Sequence, residues 1–238
     1  MTGRFLDILW PRRCELCGGE SDRPGSHVCS DCIDRIPFIP ATGVCRVCSR
    51  HVEGASGDFL CGDCSGAFAP EFDIAVSAVR YEGKVRDALH GFKFDGRLHM
   101  MKDFAEWMAA ALRARLDVAE IDLVVPVPVT AWRRMDRGFN QSEYLAADVA
   151  RSIGRRCEKR ALARTGRPRR QSGLSEEERR ENAKGTFAVR KAALVRGRTV
   201  LVVDDIMTTG STFSECARVL KEAGAWRVWC LSLARSVR

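Results

Sequence analysis

Val200-Leu201-Val202-Val203-Asp204-Asp205-Ile206-Met207-Thr208-Thr209-Gly210-Ser211-Thr212 is the stretch whose reading decides the fold. Four aliphatic residues in a row suit a strand buried on both faces, as in a parallel sheet covered on each side. Two carboxylates follow at the expected carboxyl end of that strand. Thr208, Thr209, Gly210, Ser211 and Thr212 then lead into a helical pattern over residues 211–223, which stops at Gly224. A hydroxyl-rich turn with a glycine, opening a helix, makes an anion cradle. Backbone N–H groups and the positive helix end can hold a phosphate there. Paired acids beside it suit the hydroxyls of a vicinal diol. A ribose 5-phosphate satisfies both halves. A strand ending in two acids could instead hold a metal for a nucleotide hydrolase, but the Gly-x-x-x-x-Gly-Lys-Ser/Thr loop of that reading is absent.

Outward from this string, strands are expected over residues 72–81, 121–127 and 226–233, besides 199–203 itself. Helices are expected over 100–116 and 140–153. In the first of these helices Phe104, Trp107, Met108, Ala111 and Leu112 recur at helical spacing. Alternating strands and helices predict an α/β fold, a doubly wound, mostly parallel sheet. Ligands of such sheets bind at the carboxyl ends of the strands. Val125-Pro126-Val127-Pro128 closes one strand, and Arg133, Arg134 and Arg137 beyond it are candidate anion contacts. Residues 164–187 are long, polar and basic, with Pro168 and Gly173, and predict a flexible lid. A short helical turn is expected at 175–180. Such a flap could exclude water from a reactive sugar cation.

The chain has 238 residues, 45% of them hydrophobic and 29% charged, enough for a real core. Collagen, coiled coil and wholesale disorder are excluded. No run approaches the roughly 18 apolar residues of a membrane helix, and Asp7 interrupts the apolar start, against a secretory signal. The net charge is +8, while residues 151–198 alone carry +11. That segment would attract polyanions such as phosphorylated small molecules or nucleic acid.

Eight of the 11 cysteines fall in the first 64 residues as four Cys-x-x-Cys pairs: Cys14/Cys17, Cys29/Cys32, Cys45/Cys48 and Cys61/Cys64. Two intervening residues let one tight turn aim both thiolates at one ion, and a tetrahedral zinc needs two such pairs. Eight thiolates therefore predict two structural Zn²⁺ sites. Joining first with second pair and third with fourth closes the shortest loops; an interleaved arrangement stays open. Disulfides would suit an exported chain, and a redox site needs one such pair inside an α/β unit. A head this poor in apolar residues would take its folding energy from metal. It is expected over residues 1–68, with the sheet domain over 69–238. Cys216 and Cys230 read as core thiols, and His27, His51, His90 and His99 as surface or structural.

The 200–212 string closely resembles the phosphoribosyl pyrophosphate (PRPP) signature of type I phosphoribosyltransferases. That resemblance implies ribose contacts from Asp204 and Asp205, which would also carry catalysis. It implies a 5′-phosphate cradle at Thr208–Thr212, a pyrophosphate-facing region near Arg133 and Arg137, and Mg²⁺ bound with PRPP. The whole chain resembles the ComF family of competence-associated, phosphoribosyltransferase-like proteins with zinc ribbons. The resemblance is carried by Trp10-Pro11-Arg12-Arg13-Cys14, Phe92-Lys93-Phe94-Asp95-Gly96, Arg137-Gly138-Phe139-Asn140-Gln141-Ser142, and Gln171-Ser172-Gly173-Leu174-Ser175 with Arg179, Asn182, Gly185 and Phe187. One departure is Pro168-Arg169-Arg170 before Gln171, where the family often has a threonine. The family implies a cytoplasmic protein of natural transformation that handles single-stranded DNA or its reuse, with PRPP and transformation proteins as partners and no membrane. Three readings compete: a Mg²⁺-dependent phosphoribosyltransferase, a single-stranded DNA-binding component with PRPP as regulator and five tryptophans for stacking, and a hub docking partners through its ribbons.

Overall fold

The computed structural model describes residues 12–52, 54, 57, 59–66, 69–94, 97–130, 138–165, 178 and 183–236. Two one-turn helices, α1 (Ser30–Ile33) and α2 (Gly62–Ser65), come from the cysteine-rich part. Then follow β1 (Ile74–Arg80), α3 (Gly83–Phe94), α4 (Met101–Arg115), β2 (Leu123–Pro126), α5 (Gln141–Ser152), β3 (Arg156–Cys157), β4 (Leu162–Arg164), β5 (Phe187–Val189), β6 (Thr199–Met207), α6 (Ser211–Glu222) and β7 (Arg227–Arg235).

Five strands form one sheet in the order β1-β7-β6-β2-β3, and every neighbouring pair is parallel. β4 and β5 make a separate antiparallel pair. The unbroken apolar runs follow from burial on both faces. Val200 and Val202 of β6 join one core, Leu201 and Val203 the other. On β7, Val228 and Cys230 alternate with Trp229 and Leu231 in the same way. Residues of α6 fill the core of Val200 and Val202, and those of α3, α4 and α5 the core of Leu201 and Val203. Truncating a fully buried leucine such as Leu201 to alanine would cost about 2–5 kcal/mol.

The sequence-based elements are present, with shifted ends. β6 runs four residues past Val203, so Asp204 and Asp205 lie within the strand rather than just beyond it. The extension is held by β7, where Ile206 pairs with Ala234 and Met207 with Arg235. Helix α3 was not expected, although Val85, Ala88, Leu89 and Phe92 recur at helical spacing and are buried. Of the five tryptophans, Trp107 and Trp229 are buried in the core and Trp226 is 69% exposed; Trp10 and Trp132 lie outside the described residues. Stacking on five tryptophans is therefore corrected: two of them are core side chains. Among the described residues no helix is long and apolar enough to cross a membrane.

The cysteine-rich part packs onto the edge strand β1. Ile39 N–H donates to Ala78 O at 2.9 Å and Arg80 N–H to Pro37 O at 2.9 Å, an antiparallel bridge of Phe38 with Val79. Ala75 N–H donates to Val47 O at 2.6 Å. The first four cysteines adjoin the α3–α5 side, where Cys14, Cys29 and Cys32 join that core, while Cys45, Cys48, Cys61 and Cys64 join the core of α6. The two knuckles thus straddle the β1 edge, one on each face of the sheet. The expected division at residue 68 falls at residues outside those described.

Candidate functional site

β6 delivers Asp204 and Asp205 to the carboxyl end of the sheet, and α6 begins four residues after the strand ends. Asp205 is buried and Asp204 half-buried. Asp204 is held from two sides. Ser142 Oγ donates to its Oδ1 at 2.7 Å, and the Asp205 N–H donates to the same oxygen at 2.9 Å. Ser142 is itself fixed by the start of α5. The Asn140 side chain caps that helix, accepting from Ser142 N–H at 3.1 Å. Its amide also donates to Val127 O at 3.2 Å, just beyond β2, and to Glu143 Oε1 at 3.4 Å. Asn140, Gln141 and Ser142 are all buried. The Asn-Gln-Ser run is therefore a bracket between β2 and the acids of β6. Sequence reading marked it only as a family trait. The signal was an Asn N-cap with Glu143 three residues on.

Between strand and helix, Thr208 is exposed and Thr209, Ser211 and Thr212 are half-buried. Thr209 Oγ1 and Ser211 Oγ lie 3.0 Å apart. Gly210 caps α6 in the left-handed region, at φ +81°. A Cβ there would lie 2.8 Å from Met207 Cε and 3.5 Å from the Phe72 ring. Glycine is required both by the backbone and by that close approach. Phe213 on the first turn packs edge-on against Phe72, with centroids 6.5 Å apart, and fixes the helix start. Twin acids and an N–H-rich helix start thus converge at one strand end. Behind the loop lies a cavity of about 430 Å³, lined by Thr209, Gly210, Ser211, Phe72, Cys48 and Cys64 among others. It joins the loop to the second cysteine cluster and contains neither acid.

The expected lid 164–187 leaves from β4 and returns at β5. Arg164 pairs with Phe187, and Thr165 N–H donates to Thr186 O at 2.9 Å. Its return leg is tied to α6, where Gly185 N–H donates to Glu215 Oε1 at 2.7 Å. Burial works against the Glu215 carboxylate, but hydrogen bonds from Arg218 and Gly185 hold its pKa below the usual value. Residues 166–177 and 179–182, the expected turn at 175–180 apart from Glu178, and Arg133, Arg134 and Arg137 lie outside the described residues.

The cysteines gather as two groups of four. In each, Cys14, Cys17, Cys29 and Cys32 or Cys45, Cys48, Cys61 and Cys64, the sulfurs lie within 4.8 Å of one another. Cys17 and Cys29 Sγ are 3.8 Å apart, and Cys48 and Cys61 Sγ 3.5 Å. Four thiolates about 2.3 Å from one zinc stand about 3.8 Å apart, so both groups fit that ion. All eight are free cysteines. The first-with-second, third-with-fourth arrangement is the one found. In each group the first pair sits in a tight turn closed by a left-handed residue, Gly18 at φ 77° and Ser49 at φ 56°. The second pair starts a one-turn helix capped by Cys29 or Cys61. Ser49 endures the left-handed backbone because its hydroxyl works: it donates to Ala75 O at 2.6 Å and accepts from Arg115. The first knuckle is held by Asp103 of α4, which accepts from Ser26 Oγ and, at 2.9 Å, from His27 N–H. Each group has one thiol drawn toward the thiolate. Burial opposes ionisation of Cys14, yet backbone donors bring it to about 7. A hydrogen bond from Cys64, and Arg235 nearby, bring Cys48 to about 5 against burial. Cys216 and Cys230 are fully buried core thiols, pushed well above the usual value by desolvation. His27 packs against His99 with centroids 4.6 Å apart, and His99 pairs with Glu15 at 2.7 Å, structural roles outside the thiolate sets.

A parallel sheet of this order, with paired acids and a hydroxyl-glycine loop at its central strand and two cysteine knuckles at its edge, defines a type I phosphoribosyltransferase-like protein with a double zinc ribbon. Residues 5–65 match the double zinc ribbon domain family and residues 140–236 the phosphoribosyl transferase domain family. The chain belongs to the ComF family. It is 30% identical over 206 residues to the DNA utilization protein YhgH of Escherichia coli K12, covering 79% of this chain and 89% of that protein. It is 28% identical over 233 residues to competence protein F of Haemophilus influenzae, covering 94% and 97%. It is 28% identical over 214 residues to competence protein ComFC of Streptococcus pneumoniae, covering 88% of each. Among solved structures, an adenine phosphoribosyltransferase from Thermoanaerobacter pseudethanolicus overlaps 58% of this chain and 83% of that one at 16% identity, with a TM-score of 0.36, too loose an overlap to carry a conclusion.

Proposed function

We propose that the carboxyl end of β6 binds PRPP and supports phosphoribosyl transfer, in the service of DNA uptake or DNA use. Asp204 and Asp205 accept hydrogen bonds from the ribose hydroxyls. Thr208, Thr209, Gly210, Ser211 and Thr212 hold the 5′-phosphate at the start of α6. Arg133 and Arg137, outside the described residues, are the candidate pyrophosphate contacts of this reading. Mg²⁺, bound with the ligand, supplies neutralisation of the pyrophosphate oxygens. Neither acid has to move a proton. Pyrophosphate departs with the electron pair of the C1′–O bond, an acceptor lone pair forms the new bond to C1′, and the acceptor's proton passes to solvent; the chain's part is to orient the ribose and stabilise developing charge. The carrying observation is Asp204 locked by Ser142 and by its own neighbour's N–H beside the loop that opens α6. The zinc ribbons are structural and brace the β1 edge of the sheet. The DNA connection comes from the names of the relatives, two of them competence proteins and one a DNA utilization protein.

Calorimetry with PRPP, with and without Mg²⁺, tests the binding. The wild type should bind, and Asp204→Asn with Asp205→Asn should weaken it more than tenfold. Absence of heat from the wild type would remove the reading. Pyrophosphate release with a panel of acceptor bases and amines tests turnover. A transformation or DNA-utilization assay in a strain lacking the chain, complemented by wild type or by the double variant, tests the cellular role.

A further inference from the structure

We propose that a second cavity, between the second zinc knuckle and the carboxyl ends of β1 and β7, is a binding site for a phosphate or diphosphate group, separate from the loop at β6. The cavity measures about 280 Å³. Its polar wall is Ser49, Arg50, His51, Arg80, Arg235 and Ser236, with Val52 beside them. No acid is among the described residues that line it. Arg80 and Arg235 stand side by side because β1 and β7 pair there in register.

Two of these guanidinium groups hold an unmade hydrogen bond. Arg235 is 4% exposed. Its Nη2 donates to Cys48 Sγ at 3.5 Å, while its Nη1 is buried with no partner among the described residues. Arg80 pairs with Glu82 at 3.0 Å through Nη2, and its Nε is likewise buried and unpartnered. Buried N–H groups without acceptors are costly and uncommon in native structures. Neutralising the thiolates of the second knuckle accounts for one nitrogen of Arg235 and for nothing on Arg80. Arg50 meets Asp63 and Arg80 meets Glu82, so two of the three guanidinium groups already have one acid each. Water would satisfy the two free N–H groups without offsetting charge. An oxyanion would do both. Guanidinium forks arriving from different elements suit a tetrahedral oxyanion with several acceptor oxygens, and the volume exceeds what one carboxylate fills. The phosphate can come from a small molecule or from the backbone of a nucleic-acid strand. This site does not rest on the PRPP reading.

The test uses the full, zinc-loaded chain without Mg²⁺ and inorganic phosphate as the probe. Ser211→Glu places a carboxylate at the start of α6 and closes the β6 loop to anions. In that background calorimetry should still detect phosphate binding. Adding Val52→Glu, at a 42% exposed position on the cavity wall, should raise the dissociation constant at least tenfold. Adding Val52→Lys should leave it unchanged or lower it. Zinc content measured on each variant reports an intact knuckle. Loss of all phosphate binding in Ser211→Glu with zinc retained would overturn the proposal, as would equal behaviour of the acidic and basic variants at Val52. Competition then distinguishes the sources. Displacement by a short oligodeoxythymidine points to phosphodiester, and displacement by diphosphate alone to a small molecule; either supports the site.

Discussion

Replacing Ser142 by alanine removes one hydroxyl and leaves helix α5 otherwise intact. The hydroxyl donates to Asp204 at 2.7 Å. A hydrogen bond to a charged acceptor contributes about 1.5–3 kcal/mol. Asp204 is half-buried and keeps the Asp205 N–H on the same oxygen, so the lower end of that range applies. About 1.4 kcal/mol is a factor of ten in affinity. Ser142→Ala is therefore expected to weaken PRPP binding about tenfold, measured by calorimetry at saturating Mg²⁺. Ser142→Thr keeps the hydroxyl and should recover most of the loss. Zinc content should not change, because both knuckles sit at the β1 edge while α5 packs over β2 and β6. Thermal melts of both variants report whether the fold is kept. An unchanged dissociation constant in a folded Ser142→Ala protein would refute the reasoning that the Asn-Gln-Ser bracket holds Asp204 ready for ligand.

Gly210→Ala forces a Cβ into the left-handed region at φ +81° and against Met207; it should lower stability by about 1–2 kcal/mol in urea melts and weaken PRPP binding further. Ser49→Ala cuts both the bond to Ala75 O and the acceptor of Arg115; a loss of about 2 kcal/mol is expected, with zinc leaving the second knuckle faster than the first in a chelator assay. Glu215 has a folded pKa below its ordinary 4.5, so its contribution is full above that value and is lost as pH falls through the lowered one. Glu215→Gln should flatten the decline of stability below pH 4.5 in denaturant melts across that range.

The apolar strings made the sheet legible. Val200 to Val203 could be buried only between two layers, and the spacing of the cysteines announced both metal sites. What stayed hidden was set by partners distant in the chain. Strand β6 outruns its apolar run because β7 continues alongside it to Arg235, which no local pattern of residues 204–207 reveals. Ser49 looks like any turn serine until Ala75 and Arg115 are placed beside it. Arg235 reads as a terminal basic residue, yet the strand carries it inside. Helix α3 is carried by Val85, Ala88, Leu89 and Phe92, but Gly83, Gly91 and the polar residues among them break up the apolar signal. Ser142 was visible as a residue but not as a donor, since its acceptor lies 62 positions away.

Strand β1 finds its sheet neighbour in β7, the last strand of the sheet in chain order, while Phe38 already stands opposite Val79. During synthesis β1 would therefore wait for most of the polypeptide before its ladder could form, presenting bare amide and carbonyl groups meanwhile. The metal-loaded knuckles, made earlier, can shield one side of that ribbon from the start. Zinc starvation should then show itself first as clumping of newly made chains, with material already folded escaping for longer.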